Sequence, residues 1–468
     1  LLHEFAQSLR TGRVTHLAGQ CLFNRSAMPY LPIVDLVWQS CRLEAAEHVA
    51  AMIANVHDHL RDMGMNAERL APYLLRLLDI RTNPAPLVGL RPELLHVRTV
   101  TTVCRMLLAS SRQRPVLITI ENLQWMDRAS EACLASLRAN LTNVPILLLV
   151  TLSPDYEPTW VEPASMTRIA MSPLTADDRQ RVHRVSIAQV PLPADLEQNL
   201  LSHSAGNPLF FNALTRFARE QEAPHAGGYL PDSLKDVISI RIERLSEGAK
   251  RLLQIAAVLG DTFSLHVLEA IWEGPEDLKT CLLELASWGG CYPHMNAEEP
   301  IYIFEHKRIQ EEVYERLSQD QRQRLHTVAA QALERLYHHP DDSWAISDLL
   351  AYHYVRSGKP PKAVESLIRL ADMASGKGIY AEAVEALQEA ITYIGYLPRD
   401  QQAYCHLDVI LRQAQALFEM GRLQESLSLL TPQRARLEQL QDAALTSRYA
   451  LLLSQLYHRL EDWPAAAQ

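Results

Sequence analysis

The stretch PVLITIENLQWMDRAS, residues 115–130, decides the fold of this chain. Residues 116–120 are apolar and rich in β-branched side chains, which is typical of a strand buried on both faces of a parallel sheet. Glu121 follows at once, Asp127 is placed to cap a helix over residues 129–138, and a second apolar run covers residues 144–150. The pattern predicts a strand–helix–strand unit with an acid at the carboxyl end of its first strand.

The position of Glu121 gives it a chemical interpretation. In open α/β sheets the carboxyl ends of the strands form the edge where ligands bind. A carboxylate there can hold Mg²⁺ beside nucleotide phosphates, directly or through water. Taken alone, Glu121 is explained equally well as the charged first residue of a loop.

Residues 121–130, ENLQWMDRAS, resemble the Walker B region of the STAND ATPases (signal-transduction NTPases), whose common form is a hydrophobic strand and then E-D-L-H-W-x-D-x-x-S. Trp125 and Asp127 match positions outside the generic Walker B. The resemblance implies an α/β P-loop NTPase core with a parallel sheet, containing strands near residues 14–18, 116–120 and 146–150. It also implies binding of ATP or ADP with Mg²⁺, Glu121 as metal ligand and catalytic residue, and a catalytic position at Asn122.

Two substitutions depart from the family pattern. Asn122 replaces an acid that polarises the attacking water, and an amide cannot act as a general base. Residues 151–156, TLSPDY, stand where the family usually has T-Y-R-P-E-Y, so Ser153 replaces an arginine thought to sense the γ-phosphate. We therefore expect slow or absent hydrolysis.

The first residues predict a helix over 1–9 and then the strand at 14–18. The phosphate-binding motif G-x-x-x-x-G-K-[ST] occurs nowhere in the 468 residues. Family members often carry G-K-[ST]-R-L-L immediately before such a helix. The resemblance thus leads us to expect a fragment that starts just after its Walker A, and a divergent protein that never had this loop is the alternative.

Two further motifs imply nucleotide contacts. Residues 205–211, AGNPLFF, contain Gly206, Asn207 and Pro208, which interrupt a helical pattern and on their own suit a plain turn between helices. They resemble the family's G-N-P-L-F, whose proline packs near adenine. His306 follows Phe304-Glu305, where the family has F-R-H, and the resemblance implies a hydrogen bond to the β-phosphate of ADP. A helix-capping or core histidine is the alternative.

The remaining pattern divides the chain into four predicted domains. These are the ATPase core lacking its Walker A (1–160), a helical lid with the Gly-Asn-Pro motif (161–228), a winged-helix-like regulatory domain (229–318) and TPR-like helical repeats (319–468). The third has helices followed by a hairpin signal around residues 296–299 and no dense basic face, which favours a regulatory lid over a DNA reader. In the fourth domain, small residues recur at the spacing expected for pairs of packed helices. An irregular α-solenoid is the alternative.

Composition excludes some partners. The chain has 45 basic and 55 acidic residues and a net charge of −10, so it has no general attraction for nucleic acid or anionic lipid. Its seven cysteines are scattered without metal-ligand spacing, and no apolar run approaches the length of a membrane span. The sequence predicts a cytoplasmic protein without membrane contact.

The resemblance extends to the ATPase modules of bacterial cyclases, protein kinases and LuxR-type regulators. It implies a nucleotide-dependent switch that binds protein partners through its repeats, forms nucleotide-dependent oligomers and controls an effector domain outside this sequence. A degenerate scaffold that has lost nucleotide, and a transcription regulator whose helix-turn-helix lies elsewhere, are the alternatives.

Overall fold

The structure is a computed structural model. It describes residues 2–9, 14–21, 30–45, 48–80, 92–158, 160–161, 166–172, 194–204, 207–219, 231–294, 301–337 and 344–460. The chain divides into two compact units. The first unit combines Leu1–Pro163 with Leu333–Gln468, and the second is Ala164–Ala332.

A three-stranded parallel sheet organises the first unit. Its strands are β1 (Thr15–Gln20), β2 (Val116–Glu121) and β3 (Ile146–Val150), with β2 in the middle. Residues 116–120 of β2 are all buried and Glu121 is exposed, as expected for a central strand whose end emerges at the sheet edge. The register places Gln20 of β1 opposite Glu121. The predicted parallel sheet is confirmed, with β1 shifted slightly toward the C-terminus.

Helices cover this sheet. They are α1 (Leu2–Ser8), α2 (Leu31–Ser40), α3 (Val49–Asp62), α4 (Ala67–Leu77), α5 (Pro92–Gln113) and α6 (Arg128–Arg138). The core combines apolar side chains from the strands and from helices α2 to α6. Its most deeply buried members include Leu17, Ile33, Leu60, Leu74, Met106, Ile118 and Leu134. Burying each such side chain stabilises the fold by about 1.5–3 kcal/mol.

The C-terminal part of the first unit is helical. Its helices are α15 (Trp344–Arg356), α16 (Pro360–Lys377), α17 (Tyr380–Ile394), α18 (Arg399–Glu419), α19 (Leu423–Leu430), α20 (Arg434–Leu440) and α21 (Ala443–Arg459). Ala383 and Ala390 of α17 are fully buried, so the neighbouring helices can approach closely. Ser426 is also buried, and its hydroxyl donates to the Ala414 carbonyl oxygen at 2.7 Å. Every described element after residue 310 is helical, as predicted.

The second unit combines helices with a small antiparallel sheet. Its helices are α7 (Ala194–His203), α8 (Pro208–Arg219), α9 (Leu234–Glu243), α10 (Glu247–Leu259), α11 (Leu265–Ile271), α12 (Leu278–Trp288), α13 (Lys307–Arg316) and the start of α14 (Gln319–Leu336). The sheet has the order β4-β6-β5, from Thr262–Ser264, Cys291–His294 and Ile301–Phe304. The predicted hairpin is therefore present. Strand β4 was not predicted, because three residues are too few to show an alternating pattern.

Several predictions lie outside the described residues. They concern Gly206, the hairpin turn at residues 296–299 and parts of the predicted lid at residues 161–228. None of the described helices is long and apolar enough to cross a membrane.

Candidate functional site

Glu121 lies at the carboxyl edge of the parallel sheet. Its carbonyl oxygen accepts a hydrogen bond from the Cys21 amide at 3.0 Å, while its side chain is exposed. In the neighbouring strand the Gln20 amide donates to Asp35 Oδ2 at 3.3 Å. The edge thus presents one exposed carboxylate beyond a buried strand, the position that the sequence predicted for a metal-binding acid.

Asn122 turns the chain away from the sheet in a left-handed conformation, with φ 61°. Its backbone N–H donates to Thr151 Oγ1 at 2.9 Å, and the backbone N–H of Leu123 donates to the Thr151 carbonyl oxygen at 2.8 Å. Asparagine adopts the left-handed region more readily than most residues with a side chain. Asn122 therefore has a backbone reason for its identity in addition to the predicted catalytic one.

The loops after β2 and β3 are tied together. Gln124 Oε1 accepts a hydrogen bond from the Ser153 amide at 3.1 Å. Further along, the Tyr156 hydroxyl donates to Glu131 Oε1 of α6 at 2.9 Å. Ser153 is thus held at the same sheet edge as Glu121, although its side chain brings no charge there. The sequence pointed to Ser153 but not to Gln124 or Thr151, whose roles depend on a contact between two separate loops.

Asp127 is a structural residue. It is only 4% exposed, and its Oδ1 accepts hydrogen bonds from the amides of Ser130 at 2.8 Å and Tyr30 at 2.9 Å. Its Oδ2 accepts from the Ser130 hydroxyl at 2.6 Å. Burial raises the pKa of Asp127, and these hydrogen bonds oppose the rise. The predicted capping of α6 by Asp127 is confirmed.

Tyr30 fixes the other side of this cap. It has φ 64°, is 7% exposed and forms a hydrogen bond through its hydroxyl with His96 Nδ1. Burial is the first cause of a strong rise in the pKa of Tyr30, so its phenol stays neutral. Tyr30 and Pro32 are both buried, so this segment packs into the core.

In the second unit, Asn207 and Pro208 start α8. Asn207 Oδ1 accepts hydrogen bonds from the amides of Leu209 at 3.0 Å and Phe210 at 3.3 Å, and Pro208 is the first helical residue. An asparagine cap followed by proline is a common helix start, which local sequence signals alone could have indicated. Both side chains are exposed. Their predicted contact with adenine stays a prediction.

His306 lies immediately before α13, and its side chain makes no capping hydrogen bond. The adjacent Glu305 forms a double hydrogen bond with Arg216 of α8, at 2.5 and 2.7 Å. Partial burial lowers the pKa of His306, with Glu305 opposing and Arg216 adding to the effect. The predicted phosphate contact of His306 stays a prediction. The Arg216–Glu305 pair was missed because its partners are 89 residues apart.

The arrangement at residues 121–122 suits a nucleotide-bound magnesium ion. Within the described ranges no group of three or more His, Cys, Asp or Glu side chains could hold a metal by itself. Mg²⁺ in nucleotide sites is commonly bound through one or two carboxylates, with phosphates and waters completing its shell. One exposed carboxylate at the edge of a parallel sheet fits that donor set.

Three comparisons with known proteins each found a similarity. Residues 1–150 match the family model described as AAA ATPase domain. An uncharacterized protein of Rhizobium meliloti (strain 1021) is 24% identical over 323 residues, covering 67% of this chain, and the chain spans 31% of that relative's length. A crystal structure of a Signal Transduction ATPase with Numerous Domains (STAND) protein with a tetratricopeptide repeat sensor, from Pyrococcus horikoshii, aligns over 97% of this chain and 67% of that one, at 11% identity and a TM-score of 0.44.

The family match covers all three parallel strands, together with Glu121 and Asn122. It agrees with the resemblance that residues 121–130 carry. Residues 1–150 are therefore similar to AAA ATPase domains, and their parallel sheet has the arrangement that the motif predicted for a P-loop ATPase core.

Proposed function

We propose that this chain is the nucleotide-dependent switch and protein-interaction part of a multidomain signalling protein. The observation that carries the proposal is the exposed carboxylate of Glu121 at the edge of the parallel sheet, within the stretch that matches the AAA ATPase domain. Such a switch works because ATP and ADP stabilise different conformations. The helical repeats then bind partners, and an effector domain outside this sequence responds.

Glu121 holds Mg²⁺ in this proposal. When bound, the ion neutralises the phosphates and orients them. The side-chain amide of Asn122 can donate and accept hydrogen bonds, but it cannot take a proton from water. Ser153 is held by Gln124 and supplies no positive charge. The chain's own residues thus favour keeping the nucleotide over hydrolysing it.

Gly206, Asn207, Pro208 and His306 lie in motifs that resemble nucleotide-contacting ones, and the proposal includes them as candidate nucleotide-binding residues. The exposure of Asn207, Pro208 and His306 leaves their side chains accessible to a ligand. Pro208→Ala and His306→Ala are expected to weaken ADP binding, measured by isothermal titration. His203→Ala is a suitable control, because His203 is exposed in α7, outside both motifs.

The central experiment titrates ADP and Mg²⁺ into two forms of the protein. One is residues 1–468, and the other is extended by the coding sequence upstream of Leu1. Because the chain contains no G-x-x-x-x-G-K-[ST] loop, we expect the extended form to bind and the shorter form to bind weakly. In the extended form Glu121→Gln should weaken Mg-ADP binding by roughly ten- to a hundred-fold. Glu44→Gln, an exposed acid of the same domain, should leave it unchanged.

The outcomes separate the alternatives. Equally tight binding by both forms would show that residues 1–468 bind the nucleotide without a further phosphate-binding loop. No binding by the extended form would contradict the switch and favour a scaffold that binds partners through its repeats. The replacement of two hydrolytic residues, at Asn122 and Ser153, is the observation that keeps the scaffold as the second candidate.

A further inference from the structure

Helix α17 of the repeats packs against the first turn of α6 in the AAA ATPase domain. The Ala129 amide donates to Glu382 Oε1 at 3.2 Å, and Arg128 forms an ion pair with Glu385. Close by, Arg76 Nη2 donates to the Gly376 carbonyl oxygen at 3.0 Å. Ile379, just before α17, is 4% exposed and belongs to the apolar core of the α/β part. These contacts dock the repeats onto the ATPase domain.

Two buried carboxyl groups meet at this contact. Glu382 is 7% exposed and Asp127 is 4% exposed. Asp127 accepts three hydrogen bonds, from Tyr30 and Ser130, whereas in the described part of the chain Glu382 accepts one from another residue, Ala129. Hydrogen bonds from donors stabilise the ionised form of a carboxyl group. Asp127 is therefore the better placed of the two to carry the negative charge.

The groups that surround Glu382 do not balance a charge on it. Asp127, at the start of α6, and Glu385, on α17, each place a negative charge near Glu382. Arg128 is the nearby positive charge, and it forms its ion pair with Glu385. Tyr30 is kept neutral and forms a hydrogen bond with His96 of α5.

Three other titratable groups lie near the contact. They are Cys133 of α6 and Cys104 of α5, whose thiols interact with each other, and Lys377 of α16, which faces Asp79 and Arg76. None of them supplies a positive charge to Glu382, which is consequently held neutral in the docked state.

We propose that docking of α17 onto α6 depends on a proton held by Glu382, and that ionisation of this side chain releases the repeats from the ATPase domain. The contact joins the repeats to Arg128 and Ala129, the two residues that follow Asp127, in the segment that carries Glu121. The link from this release to nucleotide exchange rests on the proposed function. The protonation-dependent contact itself does not.

The direction of the pH dependence follows from burial. Burial, with smaller contributions from Asp127 and Glu385, raises the pKa of Glu382 to about 8, and the hydrogen bonds from its own amide and from the Ala129 amide oppose this rise. A released Glu382 has its ordinary pKa. The docked form therefore binds more protons, and docking is strongest below the ordinary pKa. It weakens as the pH rises toward 8, by about fifty-fold between pH 6 and pH 8.

Hydrogen exchange followed by mass spectrometry tests the proposal on the full chain without nucleotide. Peptides covering the start of α6 and the start of α17 are compared at pH 6 and pH 8, with labelling times scaled for the intrinsic exchange rate. We expect their protection to fall by about ten- to a hundred-fold at pH 8, while β2 stays protected. Glu382→Gln should keep α6 protected at both pH values. Glu389→Gln, an exposed acid on the same helix, should behave as wild type.

Two results would overturn the proposal. One is wild-type protection that does not change with pH, and the other is the same loss in Glu382→Gln as in wild type. If Glu382→Gln fails to fold, the wild-type pH series with Glu389→Gln still decides, because pH-independent protection of α6 contradicts the proposal and a selective loss at α6 and α17 supports it. Nucleotide affinity plays no part in the readout, so failure of the switch is distinguished from failure of this contact.

Discussion

Residues 121–122 and residues 127–130 belong to one short segment, yet they have opposite surroundings. Glu121 is exposed at the edge of the sheet, whereas Asp127 is 4% exposed and accepts hydrogen bonds from Tyr30 and Ser130. Both acids match the same Walker B-like stretch. The difference teaches that the first half of this stretch leaves its side chains exposed at the sheet edge, where we propose that nucleotide binds, while the second half builds the start of α6 and its contact with α17.

The largest expected effect is on stability at Asp127. Asp127→Ala removes the helix cap and leaves the buried amides of Tyr30 and Ser130 without their acceptor. We expect a loss of about 3 kcal/mol in the free energy of opening of the α/β part. Native-state hydrogen exchange of β2 measures it. Asp400→Ala, an exposed acid in the first turn of α18, should cost little, and a loss below about 1 kcal/mol at Asp127 would contradict a structural role.

A smaller effect is expected on ATP hydrolysis when Asn122 and Ser153 are changed. In a form of the protein that is found to bind ATP, the double change Asn122→Asp and Ser153→Arg should raise single-turnover hydrolysis by roughly ten- to a hundred-fold, because it restores an acid and a positive charge. The single changes separate the two contributions. Hydrolysis by the unmodified protein at about one per second would show that neither substitution limits the reaction.

A still smaller effect, on stability, is expected from the backbone conformation of Asn122. Its φ of 61° disfavours residues with a Cβ and no local polar group. Asn122→Ala should therefore cost about 1 kcal/mol of stability, and Asn122→Gly should lie within a few tenths of wild type. Thermal unfolding of both variants measures the difference. Equal destabilisation by alanine and glycine would mean that the side chain, and not the backbone, matters for folding.

Much of the fold was predictable from local patterns. The buried run at residues 116–120, the capping residue Asp127 and the apolar run before Val150 each identify an element by themselves, and the parallel pairing follows from the intervening helix. The short strand β4 was missed because its pairing with β6 joins residues about forty apart in sequence, and three residues show no period.

The candidate site was predictable only in part. Glu121 was found because its position after a buried strand is itself the signal. Gln124 and Thr151 were missed because their hydrogen bonds join two loops, and Glu382 because its partner Ala129 is 253 residues away. Such contacts depend on tertiary packing. The left-handed backbone conformation of Asn122 was likewise not predicted, because the sequence pattern considered this residue only as a replacement for an acid.

The smallest expected effect on folding completes the comparison. Glu121→Gln removes the charge of an exposed side chain whose backbone bond from Cys21 is untouched, so stability should change by less than about 0.5 kcal/mol. The same change should weaken binding of Mg-ADP in the extended form, because an amide is a poorer ligand for Mg²⁺ than a carboxylate. Thermal unfolding and titration of one preparation give both values. A change that destabilised the fold as strongly as Asp127→Ala would show that Glu121 also belongs to the structural half of the segment.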